Sequence, residues 1–99
     1  MKPYRFHREA DEEFTEALRH YADISPALCG RFYDEIERLI TEARAHPRRY
    51  RLFDPPVRRL LAEDFPYALV YLDEPDHVWL IAVMHLKRLP GYWKQRLGS

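Results

Sequence analysis

The chain has 99 residues, with 16 Lys or Arg against 16 Asp or Glu and hydrophobic side chains at 46% of positions. That length suits one domain over residues 1–99, burying roughly 65% of the surface its unfolded chain exposes. Zero net charge gives no whole-molecule argument for a polyanion partner, and no apolar run approaches the roughly 20 residues of a membrane-spanning helix.

The N-terminal stretch "MKPYRFHREADEEF" lacks the apolar core of a secretory leader, and the single cysteine, Cys29, has no internal disulfide partner. The expected compartment is therefore the cytoplasm. Charge is unevenly spread: residues 8–43 hold ten acids against four arginines, and residues 44–99 hold ten cations against six acids. Either a solvated helical pair or a basic working face in the second half accounts for that split.

Residues 3–7 suit a short strand. From about Glu9, the positions Ala10, Phe14, Ala17, Leu18 and Tyr21 recur at helical spacing, with Asp11, Glu12 and Glu13 near the positive end of the helix dipole. Ser25 and Pro26 read as an N-cap and a first helical residue, and Phe32, Tyr33, Ile36, Leu39, Ile40 and Ala43 mark one face of a second helix. It should end near Ala45, because Pro47 disfavours helical geometry at His46. Three β-rich runs follow at 57–62, 67–72 and 78–86, separated by the turn-forming "EDFP" and "DEPD".

The expected fold class is α+β: a short N-terminal strand, a helical hairpin, then a three-stranded antiparallel meander in one sheet with the helices on one face. Val78 to Met84 is apolar throughout instead of alternating, which calls for cover on both sheet faces. The chain's own tail is one source of cover. An apolar helix or strand of a partner docking on Trp79, Ile81 and Val83 is the other.

The segment "AVMHLKRLPGYWKQRL" gathers a histidine, several cations and two large aromatics after that last strand. No HExxH or paired Cys/His spacing supports a metal, no glycine-rich loop supports a nucleotide cofactor, and no serine is placed as a nucleophile, so neither cofactor nor metal is expected. Guanidinium groups pair with phosphates and aromatic rings stack on bases. Metal-free RNA cleavage needs a base, a cation and an acid, for which His85, Arg88 and Tyr92 are chemically eligible. The alternative is structural: His85 bonded to backbone, Pro90-Gly91 in a turn, and Tyr92 and Trp93 in the core.

The stretches "ARAHPRRYR", "RRLLAEDFPYALVYLDE" and above all "AVMHLKRLPGYWKQR" resemble the RelE/ParE-type toxins of bacterial type II toxin–antitoxin systems, including plasmid-stabilisation proteins. The resemblance spans nearly the whole chain. It implies a compact α+β toxin that arrests growth when free and is held inactive by a cognate antitoxin. Members either cut messenger RNA on the ribosome or poison DNA gyrase by binding, and an interaction module without toxicity is the non-enzymatic alternative. The catalytic candidates His85, Arg88 and Tyr92 favour RNA cleavage, with Arg58, Arg59, Lys87, Trp93 and Arg96 as nucleic-acid or target contacts. The neutral net charge and the Arg88 to Tyr92 spacing count against it. No membrane partner is implied.

Overall fold

A computed structural model describes residues 1–98. Strand β1 (Tyr4–Phe6) leads into α1 (Arg8–Ile24) and α2 (Pro26–Ala45), followed by β2 (Leu52–Asp54), β3 (Val57–Leu61), β4 (Tyr67–Asp73), β5 (Val78–His85) and a 3₁₀ helix (Lys94–Gly98). The helices meet at a single residue. Ser25 N–H closes α1 by donating to the Tyr21 carbonyl, while its Oγ accepts the Leu28 N–H at 3.0 Å and so caps α2. His7 caps α1, with Nδ1 accepting the Glu9 N–H at 3.1 Å.

The five strands form one sheet in the order β1-β5-β4-β3-β2, antiparallel except where β1 runs parallel to β5. The α+β class, the helical hairpin and the meander agree with expectation, while β2 is additional. Its three residues lie between "RRYR" and Pro55-Pro56, too short to show a period and flanked by residues that interrupt pairing. β2 accordingly stands at the sheet edge, joined to β3 through the cis Pro55-Pro56 peptide.

Both faces of the sheet are covered. Phe14, Tyr21, Phe32, Ile36, Leu39 and Ile40 from the helices pack with Leu60, Leu69, Tyr71, Val78, Leu80 and Val83 of the sheet. On the opposite face Val57, Ala68, Val70, Ile81, Ala82 and Met84 pack around Trp93, which is 1% exposed. Of the two sources of cover, the tail is the one observed, and it meets the need that the apolar β5 creates. Gly91, at φ +75°, supplies the backbone reversal that returns Trp93 to the sheet.

β5 avoids strict alternation through a bulge. Val70 pairs with Ala82 and Tyr71 with Leu80, leaving Ile81 unmatched between them. The extra residue reverses the side-chain parity, so Val78 and Leu80 face the helices, Ile81 and Ala82 the tail, and Val83 the helices again.

Fully buried Tyr71 fastens β4 to the segment after α2, its hydroxyl donating to the Pro47 carbonyl at 2.7 Å. Burial pushes that hydroxyl up to about 12 from the ordinary tyrosine value of 10.0. A raised folded-state value means that this contribution to stability is complete below about pH 10 and is lost as the pH rises through about 12. Denaturant midpoints should therefore fall over that alkaline window, and less steeply in Tyr71→Phe than in the wild type.

Candidate functional site

The tail candidates lie around one acidic side chain, Glu13, on α1. Glu13 occupies the inward stripe of its helix, three residues after Ala10 and four before Ala17, both buried. Arg96 meets it with two parallel bonds, Nη1 to Oε1 and Nη2 to Oε2, each 2.9 Å. The Tyr92 hydroxyl donates to Oε2 at 2.6 Å, and the Val83 backbone N–H donates to Oε1 at 3.1 Å. Arg96 also donates to the Ile81 carbonyl at 3.0 Å and lies 3.4 Å from Glu9. β1 pairs only with Val78 to Leu80, so Glu13 and Arg96 take up backbone groups of β5 beyond the end of β1.

This arrangement sets what each candidate can do. Arg96 is 4% exposed, and although burial opposes its charge, the contacts with Glu13 outweigh that effect and leave its pKa raised. Burial, then the bond to Glu13, pushes the Tyr92 hydroxyl far above its ordinary value, so it is a poor proton donor to a leaving group. Arg88 lies over the Tyr92 ring at 3.9 Å from its centroid and 3.9 Å from Glu13 Oε2. His85 packs edge-on to Tyr67, and its Nδ1 accepts the Lys87 backbone N–H at 3.1 Å. In the neutral ring that bond favours the proton on Nε2 and engages Nδ1, the nitrogen that carries the basic lone pair.

His85 and Arg88 line a groove of about 410 Å³, but its other wall is acidic, with Glu9, Glu12, Glu13 and Glu16 from α1. Glu13 is paired with Arg96, which also lines the groove, while Glu9, Glu12 and Glu16 leave the lining net acidic, which disfavours a phosphate chain. Trp93 lies on the opposite sheet face, 5.6 Å from Phe53. Arg58 and Arg59 are consecutive on β3 and therefore diverge. Arg58 donates to the Tyr50 carbonyl at 2.9 Å, and Arg59 lies over Phe53 at 4.6 Å. Lys87 is exposed just past β5.

The expected docking trio also separates. Ile81 is buried beneath the tail and Val83 is buried toward the helices, while Trp79 alone is partly exposed. Of the two sources of cover expected for this strand, a partner on these three side chains is not the one observed, because the bulge divides them between two faces that the helices and the tail cover. Glu13 is the residue that sequence reasoning missed as a site, although an acid within the apolar stripe of α1 was the available sign. Among the described residues no three His, Cys, Asp or Glu side chains group as a metal site, and no helix is long and apolar enough to cross a membrane.

Residues 4–90 match the family described as the ParE toxin of the type II toxin-antitoxin system, parDE. The match ends before Tyr92, Trp93 and Arg96. A solved structure described as the chromosomal ParDE TA system from P. aeruginosa shares the fold, with a TM-score of 0.75 and 18% identity over 88% of this chain and 98% of that one. No curated protein sequence matches.

The Glu13 network makes a direct prediction. Glu13→Ala should lower stability by about 3–5 kcal/mol, because it strands the buried Arg96 charge, and Arg96→Ala should cost less, because part-buried Glu13 keeps Tyr92, Val83 and Arg88. The double variant should lose clearly less than the sum, since both changes remove the same interaction. Urea unfolding of the four proteins measures this, and additive losses would show that the two residues act separately.

Proposed function

The chain belongs to the ParE toxin family of type II toxin–antitoxin systems, and from that premise we propose that, when free of its antitoxin, it arrests growth by binding DNA gyrase without cutting RNA. The observation that carries this reading is the capture of the catalytic candidates within the fold. Tyr92 gives its hydroxyl to Glu13, His85 gives Nδ1 to the backbone, and the groove they would serve is walled by glutamates. A cutter needs an acid and a base free to move protons at a bound phosphate. A binder needs only a surface of the right shape and charge, and Lys87, Arg88, Leu86 and Leu89 are exposed on the segment after β5.

The antitoxin belongs to the same reading: a protein partner that orders on the toxin and covers its working surface, in the cytoplasm where gyrase acts. Segments that fold on binding cover large areas despite the entropy lost in ordering.

Purified chain added to gyrase, relaxed plasmid and ATP should block supercoiling, while translating ribosomes given the same protein should leave a defined message intact. His85→Ala should keep full inhibition. Ribosome-dependent cuts that vanish in His85→Ala would overturn the binding reading in favour of RNA cleavage. Inactivity in both assays, with no growth defect on expression, would leave an interaction module of this fold.

A further inference from the structure

We propose that the cleft between β3, the end of β5 and the closing tail is a docking slot for a partner protein segment in which one carboxylate side chain stands beside a large apolar one. The proposal deepens the reading that this chain acts on protein partners, and it rests on that reading. The cleft encloses about 360 Å³ and lies apart from the glutamate-walled groove, sharing Arg88 with it.

Its apolar lining comes from Phe53, Met84, Trp93 and Leu86, and Leu86 is half-exposed at the rim. Three cations surround that lining, Arg59, Arg88 and Lys94, against one carboxylate, Asp54. Arg59 lies over Phe53 and Arg88 over Tyr92, so aromatic faces fix both guanidinium groups. Preorganised charge lowers the cost of receiving an anion. Lys94 pairs with Asp54 at 3.1 Å, and both are substantially exposed, which makes the pair weak and exchangeable. Trp93 lies in the lining of the cleft and is itself buried, so its indole reports on whatever occupies the slot.

The charge balance selects the ligand class. Lys94 is matched by Asp54 and Arg88 is shared with Glu13, so the surplus charge at Arg59 matches a single carboxylate, and the apolar lining matches a leucine or aromatic neighbour of that carboxylate. A nucleic-acid strand fits less well, because its phosphates continue beyond the slot, past Arg88, toward Glu9, Glu12, Glu13 and Glu16.

The test uses the full chain and a synthetic pentapeptide, acetyl-Leu-Asp-Phe-Asp-Leu-amide, followed through the indole N–H resonances of Trp93 and Trp79, which a Trp79→Phe variant assigns. The Trp93 resonance should move in a saturable titration while that of Trp79 stays in place, and the peptide with Asn for both Asp residues should bind about tenfold more weakly. Arg59→Gln should weaken binding about five- to tenfold, with Lys94→Gln as the second variant should Arg59→Gln unfold. A Trp93 resonance unmoved by millimolar peptide, an equal response to the Asn peptide, or tighter binding of a short oligouridylate would overturn the proposal. A chain that blocks gyrase yet ignores the peptide loses the slot and keeps the earlier reading. One that takes the peptide but spares gyrase keeps the slot alone.

Discussion

The pairing of Glu13 with Arg96 ties the first helix to the C-terminal tail across the open edge of β5, joining the layers that cover the two faces of the sheet. Taking a carboxylate and a guanidinium out of water is costly, and the cost is offset only where geometry is good and the remaining lone pairs and protons are satisfied. Here both carboxylate oxygens accept from Arg96, and they also receive the Tyr92 hydroxyl and the Val83 N–H, while Arg96 reaches the Ile81 carbonyl as well. The same contacts resolve a hazard of the sheet. β1 stops at Leu80, and an unpaired strand edge invites pairing with other chains; side chains of α1 and the tail occupy it instead.

That closure depends on the bulge at Ile81. The added residue turns the strand so that the Ile81 carbonyl and the Val83 N–H meet Arg96 and Glu13, and it assigns the side chains on either side of it to different cores. The helices cover one core and the tail covers the other through Trp93. The tail therefore serves as the second layer of the sheet as well as the partner of Glu13, and loosening it would expose both.

A segment held this tightly is constrained in its chemistry. Tyrosine, arginine and histidine side chains look catalytic when they stand together in a sequence, yet a proton-transfer group has to be free to change state. Tyr92 is held neutral by burial and by a carboxylate, and Arg96 is enclosed. The contacts of Tyr92 and Arg96 are directed inward, toward Glu13 and the edge of β5. The surface it leaves outside is divided electrically: glutamates of α1 line one groove, and on the other side of Arg88 lies the cationic, aromatic-lined cleft. Such division favours a partner of mixed character over a uniform polyanion.

The two helices, the start of the second and the three meander strands were legible because each is local: helical spacing of apolar residues, Ser25-Pro26 at a helix start, and β-rich runs between turn residues are settled within a few neighbours along the chain. The demand that β5 be covered on both faces was legible for the same reason, from seven consecutive apolar residues. What covered the second face was not, because Trp93 reaches it only after Gly91 reverses the chain. β2 escaped notice because three residues carry no period. The roles of Tyr92 and Arg96 were decided by Glu13, 79 and 83 positions away, and no spacing rule reaches that far. Residue types state which hydrogen bonds and charges are possible. Only the tertiary structure decides which partners are near enough to claim them, because the free energy of a buried polar group depends on what stands within about 3 Å of it in the folded chain.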